Sequence, residues 1–254
     1  MLKRYILIVF FVGMCFSCAT KKEILYLQDV DSRVNDEINY TNAKIQPNDV
    51  LRIDVSALIP ESAKPYNKAN NGNSGGNSIQ LMQLQGYLVS EDLTINFPVL
   101  GRLSVGNKTT QEFALYLRNL LEEGGHLKEP SVDVRLINAK VTVLGEVNQP
   151  GTYNFTEQNI TLLQALGYAG DLTINGKRED VIIMRDMQGV RKVTHINLTT
   201  SDWLNGPYNF IKPNDIIVVN PNSPKVKSAG FIGNVGTLLS VVSILFSTII
   251  LITR

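Results

Sequence analysis

The sequence predicts an α+β protein made of two small domains, with an uncharged apolar segment at each end of the chain. Three observations support this prediction. Short apolar runs of strand length recur through the middle of the chain, separated by turn residues. Two stretches of helix length end at glycine, and the first of them begins with a capping box. The long uncharged stretches are confined to the two ends of the 254 residues, a length that suits one or two domains.

The first 17 residues are predicted to be a signal peptide. Lys3 and Arg4 precede an apolar run at residues 5–16, which is too short to cross a bilayer as a helix. The following Ser17 and Cys18 resemble the lipobox of bacterial lipoproteins, in which the signal is cleaved before a cysteine that is then acylated. The resemblance predicts lipid attachment at Cys18 and a polar tether at residues 18–44. The alternative is a secreted protein with an incidental cysteine.

The charge balance and the cysteine count exclude several classes of protein. With 24 basic and 23 acidic residues, the net charge of +1 is too small to attract a nucleic acid, so none is expected as a partner. Only Cys18 would remain after signal cleavage, which excludes a disulfide framework, a cysteine metal site and a cysteine nucleophile.

A transmembrane helix is predicted at residues 229–253. Residues 229–252 carry no charge, and as a helix they would extend about 36 Å, enough for a hydrocarbon core of about 30 Å. Small polar residues recur along one face of this helix, where they would line a pore or form a helix interface: Asn234, Thr237, Ser240, Ser243 and Ser247. Apolar residues on the opposite face are predicted to meet lipid: Leu238, Val242, Leu245, Ile249 and Ile252. The alternative is that the hydroxyls bond to carbonyls of their own helix.

The first predicted domain covers residues 45–138. A strand at residues 50–55 follows a Pro-Asn-Asp turn, and residues 60–80 are rich in Asn, Ser and Gly, which predicts a long exposed loop. A second strand is predicted at residues 94–99. Thr109 and Glu112 form a capping box for a helix that Gly124 and Gly125 end. Alternating valines and charges at residues 132–136 predict a half-buried strand.

The second predicted domain covers residues 139–222. A strand at residues 141–147 is broken by Gly145, and a short helix at residues 161–166 is ended by Gly167. Strands are predicted at residues 181–184, 193–198 and 215–219. Short strands around one helix favour a ubiquitin-like β-grasp arrangement.

No residue pattern indicates catalysis, a metal ion or a cofactor. Residues 72–76 match the G-x-S-x-G motif, but they lie in an Asn/Gly loop without the preceding strand that a nucleophile elbow requires. His126 and His195 are far apart, and neither has the spacing of a metal-ligand pair. We therefore expect no catalytic residue, no metal ligand and no cofactor-binding residue.

Phrases in both domains resemble a known family. Residues 45–53 (IQPNDVLRI), 86–89 (GYLV) and 96–101 (NFPVLG) are similar to the export domain of bacterial outer-membrane capsule and exopolysaccharide translocons. Residues 143–153 (VLGEVNQPGTY) and 213–219 (PNDIIVV) resemble the soluble ligand-binding β-grasp (SLBB) domain. The family's Pro-Gly-Asp turn reads Pro-Asn-Asp at both places, a mild change because Asn tolerates the left-handed backbone conformation.

The resemblance implies conduction and not chemistry. It implies a homo-oligomeric ring that passes polysaccharide from periplasm to cell surface, lipid-anchored in the outer membrane with its main domains in the periplasm. It also implies an inner-membrane co-polymerase or chain-length regulator as partner. Two alternatives stay open: a lipid-anchored periplasmic ligand-binding module without a pore, and a carbohydrate-processing enzyme with two catalytic carboxylates.

Overall fold

The computed structural model describes residues 21–32, 37–38, 40–68, 83–187, 189–228 and 235–252. The predicted signal peptide, Cys18, the motif at residues 72–76 and Asn234 lie outside these residues. Within them, strands and helices mix in two small units, and the predicted α+β class is confirmed.

The strands and the principal α-helices are as follows. The strands of the first domain are β1 (Val50–Ser56), β2 (Tyr87–Leu88), β3 (Thr94–Phe97), β4 (Gly101–Ser104) and β5 (Ser131–Leu136). Those of the second are β6 (Lys140–Gly145), β7 (Gly151–Asn154), β8 (Ile160–Thr161), β9 (Gly176–Met187), β10 (Val190–Ile196), β11 (Phe210–Ile211) and β12 (Ile216–Pro221). The helices are α1 (Pro60–Ala63), α2 (Thr110–Glu123), α3 (Leu162–Tyr168), α4 (Ser223–Ser228) and α5 (Val235–Ile252).

The first domain packs one helix against a three-stranded antiparallel sheet. The strand order is β2-β1-β5, and β3 and β4 form a separate hairpin. The predicted capping box of α2 is confirmed, since the Thr109 hydroxyl accepts from the Glu112 backbone and the Glu112 carboxylate accepts from Thr109. Helix α2 buries three residues of its apolar stripe: Phe113, Leu117 and Leu121.

The second domain has a five-stranded mixed sheet in the order β10-β9-β12-β6-β7, with β12 parallel to β6. The small pair β8-β11 and helix α3 complete it. Gly145 ends β6 at φ +92°, where an added Cβ would lie 2.0 Å from the Val219 carbonyl oxygen. Only glycine permits this close approach between the two parallel strands.

The repeated Pro-Asn-Asp phrase folds in the same way in both domains. Asn48 and Asn214 adopt the left-handed conformation, with φ of 68° and 69°. Each following aspartate accepts a hydrogen bond from the backbone N–H three residues earlier, at 2.8 Å for both Asp49 and Asp215. The turn therefore places a buried carboxylate at the start of a central strand in each domain.

The two carboxylates differ in what surrounds them. Arg185 donates from Nε and Nη2 to Asp215 and from its η nitrogens to the carbonyls of Pro207 and Phe210. Burial raises the pKa of the Asp215 carboxyl, and the guanidinium opposes that shift. Asp49 has no comparable cation among the described residues, and burial raises its pKa to about 6.

A chain of four amide side chains joins the two domains. Asn159 donates to Asn42, Asn42 donates to Gln111, and Gln111 donates to Gln158, at 3.2, 2.9 and 3.4 Å. The Tyr40 and Phe210 rings also meet across this junction, with centroids 5.1 Å apart. Since amides do not titrate, this part of the junction does not respond to pH.

Three local sequence predictions need correction. The predicted loop at residues 60–80 begins with helical turns, α1 and Lys64–Tyr66, because Pro60 is preorganised for a helix start. Gly167 lies inside α3, and the chain reverses at Gly170, where φ is +71°. Strand β9 has 12 residues instead of the four predicted, because its pairing with β10 and β12 extends it.

The predicted C-terminal transmembrane helix is not supported by the described residues. Helix α5 has 18 residues, so it extends about 27 Å, less than the 36 Å expected from the sequence. No helix in the described part of the chain combines the length and apolarity needed to cross a bilayer.

Breaking the buried ion pair should destabilise the second domain strongly. Arg185→Met leaves the Asp215 carboxylate, only 1% exposed, without its cation, and such a loss costs about 3–5 kcal/mol of unfolding free energy. Arg191→Met is the matched control, because it breaks a solvent-exposed pair with Asp186. Chemical denaturation should show a large loss for the first variant and a much smaller one for the control. Equal losses would contradict this account of the pair.

Asp49 should make stability depend on pH. Its raised pKa means that the folded chain binds the proton more tightly than the unfolded chain, so stability is lost as pH rises from about 4 to about 6. The loss corresponds to about 2–3 kcal/mol. Asp49→Asn keeps an acceptor for the Gln46 N–H and should be more stable than the native chain at pH 7.5.

The measurement is the denaturation midpoint at pH 5 and pH 7.5, with Asp54→Asn on the exposed face of β1 as control. The difference between native chain and Asp49→Asn should shrink at pH 5. A difference that does not change with pH would refute the assignment to Asp49.

Candidate functional site

Helix α5 is the element in which the sequence placed its candidate pore or interface residues. Its described apolar side chains are largely exposed, for example Ile244 (65%), Leu245 (57%) and Leu251 (82%). In water such exposure is unfavourable, so the helix is expected to contact lipid or other protein.

The serines of α5 bond to their own helix. The Ser240 hydroxyl donates to the Gly236 carbonyl at 2.8 Å, and the Ser247 hydroxyl donates to the Ser243 carbonyl at 2.8 Å. This is the alternative that the sequence analysis left open. It uses the hydroxyl hydrogen but leaves the oxygen lone pairs able to accept a hydrogen bond from water or from another chain.

The serine face also carries large apolar residues, which the sequence analysis missed. Ser243 and Ser247 share a shallow groove with Ile244, Thr248 and Leu251. At 100° per residue, Ile244 and Leu251 fall on the same side of the helix as Ser240, and this could have been found from the spacing. The face therefore offers hydroxyls and small side chains together with two aliphatic groups.

The predicted lipid-facing residues Val242 and Leu245 lie away from that groove. The side chains of Thr237, Leu238, Ile249 and Ile252 are outside the described part of the structure, as is Asn234, so their predicted roles stay predictions.

The N-terminal segment contributes a contact that the sequence did not reveal. The backbone N–H groups of Leu27 and Gln28 donate to the carbonyls of Leu198 and Thr199, at 3.0 and 2.8 Å. Tyr26 and Leu27 pack against the core of the second domain. We call residues 21–28 the strap, because they bind to this domain and do not leave it as a free tether.

Tyr26 fixes the strap to the loop before β9. Its hydroxyl donates to Asp171 Oδ1 at 2.6 Å, and the Arg178 guanidinium carbon lies 5.3 Å from the centre of its ring. Burial, followed by the hydrogen bond to the Asp171 carboxylate, raises the pKa of Tyr26. Arg178 is buried and donates to the Thr173 and Gly176 carbonyls, both at 3.2 Å, which holds the loop in place.

Of the described histidines, His195 bonds to a carboxylate. It bonds through Nδ1 to Asp180 on the exposed face of β9 and β10. Lys177 donates to the same carboxylate, and this hydrogen bond lowers the pKa of Asp180. The contact between His195 and Asp180 is therefore accounted for as a surface hydrogen bond.

Comparison with known proteins matches both domains. Residues 38–137 match the family described as polysaccharide biosynthesis/export protein, and residues 140–196 match the SLBB domain. A protein described as EPS I polysaccharide export outer membrane protein EpsA, from Ralstonia nicotianae, is 32% identical over 108 residues, covering 40% of this chain and 27% of that protein. The protein of the same description from Ralstonia solanacearum is 26% identical over 151 residues, covering 56% of this chain and 40% of that protein.

The matched regions give the order of the domains in this chain, an export domain followed by an SLBB (β-grasp) domain. Residues 38–137 are a domain of the polysaccharide export family and residues 140–196 are an SLBB domain, as the sequence phrases predicted. The matched regions span 27% and 40% of the length of the two relatives.

Removing the Tyr26 hydroxyl should loosen the strap. In Tyr26→Phe the bond to Asp171 is lost while the ring stays, so the backbone amides of Leu27 and Gln28 should exchange with solvent deuterium faster. Tyr116→Phe, on the exposed side of α2, is the control. Unchanged exchange at residues 27 and 28 would show that backbone pairing alone holds the strap.

Proposed function

We propose that this chain is a subunit of an outer-membrane channel that passes capsular polysaccharide or exopolysaccharide from the periplasm to the cell surface. Several copies assemble into a homo-oligomeric ring, with Cys18 acylated and the two domains in the periplasm. An inner-membrane co-polymerase or chain-length regulator delivers the polysaccharide. Membership of the polysaccharide export family supports this proposal, as do the relatives named as outer-membrane export proteins.

The observation that carries the proposal is the exposed apolar surface of α5 at the end of a chain from this family. Seven of the large apolar residues between Leu239 and Leu251 are at least 47% exposed. Identical helices standing side by side would cover that surface, and their small residues permit close approach. In the proposal the whole uncharged segment at residues 229–253, of which α5 is the described part, is the membrane element.

A neutral lumen lined by the hydroxyls of α5 is physically suited to passing a glycan. Hydroxyls along a neutral lumen exchange hydrogen bonds with a sugar chain without holding it, because transport requires binding that is weak enough to release. Ser240 and Ser247 supply acceptor oxygens even while their hydrogens bond to the helix. Ser243 adds a third hydroxyl to the same face.

A second candidate is a lipid-anchored periplasmic ligand-binding module, for which α5 is a simple second anchor. The bonding of Ser240 and Ser247 within the helix favours this alternative, because it satisfies the hydroxyls without a partner. The two candidates differ in whether the function of the protein requires the face of α5 that carries Ser240, Ser243 and Ser247.

Replacing the serine face should separate the two candidates. The triple variant Ser240→Leu, Ser243→Leu, Ser247→Leu should abolish the ring and the surface polysaccharide, because bulky side chains prevent close approach and remove the hydroxyls. The matched control changes other positions of α5: Val241→Leu, Val242→Leu and Leu245→Ile. The measurements are native mass in mild detergent and surface glycan of a deletion strain that carries each variant.

The outcomes are distinct. Export by the serine variant at the level of the control would favour the ligand-binding module. Only monomers of the native chain in mild detergent, together with unchanged surface glycan after deletion, would contradict the channel itself.

A further inference from the structure

Both ends of the described chain leave the second domain at the same end of its sheet. Pro221, the last residue of β12, pairs with Gly176, the first residue of β9. The Leu198 N–H donates to the Arg178 carbonyl, and the strap pairs with the carbonyl of that same Leu198. The strap and the exit toward α4 therefore both lie beside the start of β9.

The loop at residues 171–176 connects the two exits. On one side its Asp171 carboxylate accepts from Tyr26 of the strap at 2.6 Å. On the other side, the Asn222 N–H donates to the Asn175 carbonyl at 2.7 Å, and the Asn222 side chain donates to the Ile174 carbonyl at 3.3 Å. We call the strap, this loop and α4 together the anchor end.

The anchor end presents apolar and basic side chains to solvent, together with one acidic side chain of the strap, Glu23. Ile174, in the loop, is 62% exposed, and Val226, in α4, is 57% exposed. Lys225 and Lys227 flank Val226 and are exposed, and Lys22 of the strap is exposed too. The Asp171 carboxylate of the loop is occupied by the Tyr26 hydroxyl and the Leu172 N–H.

Only short segments connect the anchor end to the predicted lipid attachment on one side and to α5 on the other. Seven residues lie between Cys18, the predicted acylation position, and Tyr26, and the eight Cα–Cα steps from one to the other reach at most about 28 Å when fully extended. At the other exit, six residues lie between Ser228 of α4 and Val235 of α5. The lipid attachment and the membrane element of the proposed channel would thus both hold the anchor end close to the bilayer.

We propose that the anchor end is a membrane-contact surface, in which Ile174 and Val226 enter the interface and Lys22, Lys225 and Lys227 bind the phosphates of anionic phospholipid headgroups. This inference rests on the proposed outer-membrane location. Basic side chains beside exposed apolar ones are the combination by which peripheral surfaces bind anionic lipid. The first domain then points away from the membrane.

The test places a fluorescent label at the tip of the loop. Ile174→Cys is labelled with an environment-sensitive fluorophore, and the unsubstituted chain is the blank for its own cysteines. The control is Val99→Cys in the first domain, because Val99 and Ile174 are both 62% exposed. The full-length chain is reconstituted into vesicles of phosphatidylethanolamine and phosphatidylglycerol, and in parallel into vesicles of phosphatidylcholine alone.

At position 174 we expect quenching by nitroxide-labelled lipid and protection from aqueous iodide, with the reverse at position 99. Protection should be greater in the phosphatidylglycerol vesicles. Lys225→Gln with Lys227→Gln should remove that lipid dependence, whereas Lys64→Gln with Lys128→Gln, which removes the same charge from the first domain, should leave it unchanged.

Each other outcome overturns the proposal. Equal access of iodide to both labels, or no association with vesicles, shows that the anchor end does not contact lipid. If protection at position 174 is the same in both kinds of vesicle and is unchanged by the lysine substitutions, the assignment to anionic headgroups is overturned. Neither result affects ring assembly or surface glycan, which test the channel separately.

Discussion

The hydrogen bonds that join residues 26–28 to the second domain place the first described segment of the chain close to the point where β12 leaves that domain. They attach the strap beside the start of β9, where β12 also ends. The buried Arg178 supports this arrangement by holding the carbonyls of the intervening loop, and its guanidinium faces the Tyr26 ring. The strap and the exit of β12 therefore lie on the same side of the second domain. In the proposed channel, a lipid on Cys18 and the apolar helix α5 would both act on that side, and this would set the direction of the chain relative to the membrane.

The same Pro-Asn-Asp turn occurs in both domains, but the aspartates of the two turns have different electrostatic surroundings. Asp49 and Asp215 accept equivalent backbone hydrogen bonds at the start of central strands. The longer sheet of the second domain brings Arg185 of β9 against Asp215, so the charge is neutralised by a buried ion pair. The first domain offers Asp49 the backbone alone among its described groups, and burial raises the carboxyl pKa. A local motif thus fixes backbone geometry, while the neighbouring strands decide the cost of burying its charge.

Helix α5 shows how one surface supports more than one interpretation. Its exposed apolar groups require a partner, whether lipid or identical helices. Ser240 and Ser247 donate within the helix yet keep acceptor capacity. A ring of copies uses both properties, because small residues allow contact and free lone pairs face water. A single anchoring helix uses only the first, so the serine face distinguishes a channel from an anchored binding module.

The sequence by itself determined the α+β class, the capping box of α2, the two Pro-Asn-Asp turns and the family phrases, since each depends on residues close together in the chain. The tertiary structure alone decided the length of β9, the pairing of Arg185 with Asp215 and the attachment of the strap. Tyr26 and Asp171 are separated by 145 residues, and no local pattern marks a hydrogen bond over that distance. The sequence predicts a tether at these residues because they are polar and weakly periodic. The backbone partners of Leu27 and Gln28 lie in the loop after β10, and backbone groups carry no residue-specific signal.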